Sequence, residues 1–164
     1  MSKVIFLDID GVLQPYGSSK CFQYGIERAV QDAIIDTGDT SYEYMDPYDV
    51  AAAKCDWQPT AIENLRHLVE KTGAVIVMES DWRIYNDLNE MRLLFKIWDL
   101  DQYVEDSLPK GDKQDVIDAY IACNPEVEEW VVIDDIDLGY KERQVITRNH
   151  MTEEDAAQAL AVLK

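Results

Sequence analysis

Val4-Ile5-Phe6-Leu7-Asp8-Ile9-Asp10-Gly11-Val12-Leu13 decides how the rest of the chain reads. Its first four residues are apolar without alternation, the form of a parallel strand buried on both faces. Two acids follow at once, so the carboxyl end of that strand opens onto polar ground, and Gly11 allows the backbone a tight turn there. Two later runs have the same form. Ala74-Val75-Ile76-Val77-Met78 is followed by Glu79-Ser80-Asp81, and Trp130-Val131-Val132-Ile133 by Asp134-Asp135.

Helical patterns separate the runs. Thr60 to Lys71 sets Ile62, Leu65, Leu68 and Val69 on one stripe, with Pro59 near its start and Gly73 at the expected cap beyond its end. Tyr85 to Trp98 carries Leu88, Met91, Leu94 and Phe95 at helical spacing, and Asp112 to Ala122 carries Val116, Ile117, Tyr120 and Ile121. Thr152 opens a last helix, with Ala156, Ala159, Leu160 and Leu163 sharing a face. Strand and helix in alternation predict right-handed crossovers and an α/β fold, a three-layer Rossmann-like parallel sheet. An edge strand is expected at Gln144-Val145-Ile146.

The 164 residues fit one domain, 1–164. Residues from about 14 to 58 hold Tyr16, Phe22, Tyr24, Tyr42, Tyr44, Tyr48 and Trp57 and delay the second strand well past an ordinary crossover. They read as a small cap-like insertion lying over the site, with helices over Ile26 to Ile35 and Tyr48 to Lys54. Aromatic residues in such a segment pack a small subdomain more often than they stack a base or sugar.

Composition narrows the partners. Fifteen basic residues against thirty-three acidic ones leave a net charge of −18, which repels phosphate backbones and anionic headgroups over most of the surface. Extended nucleic-acid binding is therefore not expected, while a single nucleic-acid end remains admissible. Between Asp99 and Asp137 thirteen acids stand against only Lys110 and Lys113. Cys21, Cys55 and Cys123 are odd in number and form no CxxC, which points to free thiols in a reducing, cytoplasmic setting rather than to disulfides or zinc. Asp8 and Asp10 break what would be the apolar part of a signal peptide, and no apolar run approaches the roughly 20 residues of a bilayer span, so no membrane role is expected.

In an open parallel sheet, ligands sit beyond the carboxyl ends of the strands. Asp8, Asp10, Ser80, Asp134 and Asp135 all belong there. A single acid after a strand commonly caps a helix or braces a turn. Several at one rim concentrate negative charge that a hard, oxygen-loving cation such as magnesium neutralises. Such a site keeps positions open for a phosphate, one carboxylate can attack phosphorus, and a second in the following turn can protonate the leaving oxygen. Lys110 or Lys113 can supply the positive clamp.

Phe6-Leu7-Asp8-Ile9-Asp10-Gly11-Val12-Leu13 resembles the hhhDxDGhh motif of the haloacid dehalogenase-like (HAD) hydrolases. Val131 to Asp135 is similar to the family's acidic fourth motif and Lys113 to its third. Ala74 to Arg83 is similar to the second motif of the small members found in RNA-repair, phage and bacterial proteins. The resemblance implies a magnesium-dependent phosphatase or nucleotidase. Asp8 would attack phosphorus, Asp10 act as acid and then base, and Ser80 and Lys113 bind the phosphoryl oxygens. Mg2+ would be held by Asp8, the backbone carbonyl of Asp10, Asp134 and Asp135. The second Asp of the motif implies phosphate transfer rather than dehalogenation, with a nucleotide or other small phosphorylated substrate expected.

Glu79 departs from the pattern by standing where the family places Ser or Thr, so the second motif aligns on Ser80 or slips by one. An inward Glu79 would weaken phosphatase action or bring in a second cation, and a weak or inactive acidic binding protein is the competing expectation. Lys113 is preferred to Lys110 because it falls four residues before Ile117. Arg83 has two readings, a bidentate phosphate clamp or a partner for a nearby acid. His67 and His150, with no evident carboxylate partner, read as structural or solvent-facing.

Overall fold

A computed structural model describes residues 2–164. The chain runs β1 (Ser2–Leu7), α1 (Lys20–Tyr24), α2 (Glu27–Asp36), α3 (Pro47–Cys55), α4 (Pro59–Thr72), β2 (Val75–Met78), α5 (Leu88–Lys96), β3 (Val104–Ser107), α6 (Lys113–Cys123), β4 (Val127–Asp134), β5 (Gln144–Ile146) and α7 (Glu153–Val162). The five strands pair in parallel in the order β3-β2-β1-β4-β5. Strand order reverses between β1 and β4, and such a reversal opens a crevice at the carboxyl ends of the two strands.

Central strands need apolar residues on both faces, and β1 supplies them in alternation. Ile5 and Leu7 turn toward the larger core, built with α4, α5 and α7. Val4 and Phe6 turn toward α6, where they meet Val116, Ile117 and Val132. Phe6 lies edge-on to Tyr120 and Trp130, with centroids 5.6 and 6.0 Å apart. Helices thus cover both faces of a three-layer α/β sheet.

Three boundaries differ from the sequence reading. The edge strand β3, Val-Glu-Asp-Ser, escapes a hydrophobicity reading because only Val104 is fully buried in it. α5 begins at Leu88 rather than near Tyr85, because Asp81–Ile84 close a separate 3-10 turn and Asp87 with Glu90 forms a capping box. α1 is five residues long, too short to leave a periodic signal.

The segment holding α1, α2 and α3 shares the larger core through Tyr42, Met45, Val50 and Ala53. It is seated on α5: the Tyr42 hydroxyl donates to the Leu93 carbonyl at 2.7 Å, and the Trp98 indole to the Ala53 carbonyl at 2.8 Å. Inside it, the buried Gln31 amide donates to the carbonyls of Tyr42 and Met45. Its entry, Gln14 to Tyr16, lies at the crevice. No helix among the described residues is long and apolar enough to cross a membrane.

Candidate active site

The turn after β1 is fixed from three directions. Asp8 N–H donates to the Ile133 carbonyl, Thr147 Oγ1 donates to the Gly11 carbonyl at 2.7 Å, and Met151 N–H donates to the Val12 carbonyl. Gly11 is in the left-handed region at φ 78°, and a Cβ there would come within 2.6 Å of Asp135 Cγ. Glycine is thus required both by the backbone and by the close approach of Asp135.

Asp8, Asp134 and Asp135 bring one carboxylate oxygen each to within 4.8 Å of one another. Lys113, first residue of α6, reaches into the same space. Its Nζ stands 2.8 Å from Asp134 Oδ2, 3.2 Å from Glu79 Oε2 and 3.4 Å from Asp8 Oδ2. Lys110, by contrast, is exposed. Glu79 follows β2 directly, its N–H donating to the Leu7 carbonyl, and its side chain is fully buried and turned inward.

One ammonium among three buried carboxylates sets the electrostatics. Burial, then the neighbouring Asp134 charge, pushes Asp8 up to about 8 against the opposing pull of Lys113. Burial and the charges of Asp134 and Asp8 raise Glu79 well above the carboxylate range. Burial also works against ionisation of Asp134, but hydrogen bonds from Glu79 and Lys113 outweigh it and hold that carboxylate below its usual value. Protonation of Glu79 relieves the repulsion between its carboxyl and those of Asp134 and Asp8. When ionised, neither of its oxygens has a hydrogen-bond partner of good geometry. Burial opposes the charge on Lys113, yet the three carboxylates together raise its affinity for the proton.

Asp10 sits apart from this cluster. Its two carboxylate oxygens each lie 3.3 Å from Trp82 Nε1, and burial raises it more than that hydrogen bond and Lys113 lower it. Ser80 is fully buried, and its Oγ accepts from Trp82 N–H at 3.3 Å while its own proton stays available to a ligand. Arg83 is committed to the protein: it donates to the carbonyls of Glu79 (2.6 Å), Ser80 (3.1 Å), Pro109 (3.2 Å) and Gly111 (2.8 Å). Its contact with Asp81 is a peripheral 3.4 Å. Arg83 is thus neither a phosphate clamp nor chiefly an acid's partner. It ties the β2 loop to the loop that delivers Lys113.

Two contacts lay beyond sequence reasoning. Tyr16 hydroxyl donates to Asp135 Oδ2 at 2.6 Å, and Trp82 orients Asp10. Trp82 falls within the second motif, but nothing in the sequence tied either ring to its acid.

The cluster fits a hard divalent cation. Three carboxylate oxygens converge, Asp135 Oδ1 is buried without a hydrogen-bond partner, and burial with the Asp134 charge works against ionisation of Asp8. Among known proteins, a family model described as "HAD domain in Swiss Army Knife RNA repair proteins" matches residues 4–159. No curated protein matches significantly. A solved structure of a Thermotoga maritima protein provisionally named beta-phosphoglucomutase is similar at 15% identity and a TM-score of 0.46, covering 99% of this chain and 82% of that one.

Proposed function

Because this chain belongs to the family of HAD domains in Swiss Army Knife RNA repair proteins, we propose that it is a magnesium-dependent phosphate-monoester hydrolase of small phosphorylated substrates, nucleotides among them. The observation that carries this is the division of labour between two acids in one turn. Asp8 faces Lys113 and the carboxylate cluster, and Asp10 faces Trp82. Two titratable groups whose surroundings differ in this way suit a nucleophile and an acid.

Asp8, Asp134, Asp135 and the Asp10 carbonyl would hold the cation, which when bound favours the ionised Asp8 and draws charge from the phosphoryl oxygens. Lys113 and the Ser80 hydroxyl bind those oxygens. An Asp8 oxygen attacks phosphorus, the bond to the leaving oxygen breaks with its electron pair, and Asp10 gives that oxygen its proton. Asp10 then takes a proton from water as the water oxygen attacks phosphorus. Asp8 leaves unchanged and inorganic phosphate is released.

Hydrolysis of an aryl phosphate and of a panel of nucleoside monophosphates, with magnesium and with chelator, tests this reading. Metal-dependent release of phosphate is expected. The inward Glu79 favours one second reading, an acidic binding protein of low turnover. Silence toward the panel and toward 5′- and 3′-phosphorylated oligonucleotides, with magnesium still bound, would select it.

A further inference from the structure

The insertion forms a cleft of about 260 Å3 lined by Gln14, which follows the active-site turn, and by Trp82, whose Nε1 contacts Asp10. Through Trp82 the cleft adjoins Asp10, the acid proposed to protonate the leaving group. Phe22 and Tyr48 form one wall, their ring centroids 5.9 Å apart, although 67% and 54% of their surfaces are exposed. Trp82 adds a third aromatic ring to the lining.

The charged residues of the cleft are all acids: Glu27, Asp49 and Asp56. None of them is in an ion pair among the described residues. Asp49 Oδ2 accepts from the Asn86 amide at 3.1 Å and Asp56 Oδ1 from the Lys20 N–H at 2.9 Å, which leaves one oxygen of each carboxylate uncommitted. The Lys20 ammonium is turned to the Cys55 carbonyl, 3.4 Å away. Aromatic faces beside unpaired carboxylates attract an alkylammonium, through the ring quadrupoles and through charge. A neutral nucleobase would bring no positive charge to offset these acids.

We propose that this cleft is an ammonium subsite. The preferred substrates are then phosphate monoesters of amino alcohols, their cationic end held by Phe22, Tyr48, Trp82 and Asp49. The inference rests on the phosphatase reading for its chemistry but not for its binding. A zwitterionic substrate also meets less repulsion from a chain of charge −18 than a nucleotide does.

Choline titrated into the protein, followed by tryptophan fluorescence, reads the cleft without turnover. Saturable binding is expected, at least tenfold weaker in Asp49→Asn and in Phe22→Ala. Phosphocholine and its uncharged isostere 3,3-dimethylbutyl phosphate, compared by kcat/KM with magnesium present, read the consequence. A preference of tenfold or more for phosphocholine, falling toward one in both variants, is expected. Choline binding without hydrolysis of any ester would support the subsite and remove the phosphatase reading. Aryl phosphate hydrolysis with no choline binding, or with the isostere or a nucleoside monophosphate used as well as phosphocholine, would overturn the subsite alone.

Discussion

Asp8 and Asp10 are chemically identical and two positions apart, so the separate roles proposed for them rest on their surroundings. Asp8 is buried against Asp134 and Lys113, and Asp10 is half-open and held by the Trp82 indole. Asp8→Asn keeps the shape and removes the nucleophile. Turnover should fall by about 10³-fold or more with the circular dichroism spectrum unchanged, and full activity would rule out Asp8 as nucleophile. Trp82→Phe should act through the proton: with Asp10 less well oriented, kcat for an alkyl phosphate should fall about tenfold. p-Nitrophenyl phosphate, whose leaving group needs no proton, should be nearly indifferent, and equal losses on both esters would argue against Asp10 as the acid. Gly11 is constrained twice, by φ 78° and by Asp135. Gly11→Ala should cost about 2–3 kcal/mol in chemical denaturation and weaken magnesium binding as Asp135 is displaced.

At the level of elements, the site needs the β2 end and the α6 start in fixed relation, because Lys113 comes from one and Glu79 and Ser80 from the other. Arg83 makes that connection with hydrogen bonds to four carbonyls from two loops. Arg83→Met fills the space but leaves buried carbonyls without donors, so unfolding in urea should show a loss of about 2–4 kcal/mol. KM for phosphate esters should rise as Lys113 loosens, and a variant of unchanged stability would refute the clamp. Elements also show what a sequence can disclose. β1, β2 and β4 were legible from the apolar runs that bury both faces of their carboxyl-terminal halves, and the acids at their ends because the chain places them there. β3 was not, since an edge strand tolerates Glu105 and Asp106. The partners of Arg83, Trp82 and Tyr16 were hidden for another reason. They join residues 28, 72 and 119 positions apart, and no local periodicity encodes such contacts.

Across the whole molecule, a net charge of −18 and a buried group of acids answered by one lysine both oppose folding. The two contributions separate by how a cation relieves them. Diffuse repulsion between exposed charges is screened by any salt, with a Debye length of about 10 Å at 0.1 M ionic strength. Asp8, Asp134 and Asp135 converge within 4.8 Å in a largely buried space, where screening is weak and a coordinated ion would be the more effective relief. A cation that binds only the folded chain stabilises it by about 2.7 kcal/mol at a hundred times its Kd. For a domain of this size that is about 5–10 °C in Tm. Magnesium should therefore raise Tm by about that amount beyond sodium chloride at equal ionic strength. In Asp135→Asn the excess should shrink while the sodium response stays, because that substitution removes a ligand and barely alters the overall field. If magnesium and sodium chloride at matched ionic strength gave the same Tm in the wild type, the carboxylate cluster would not be a cation site, whatever its geometry.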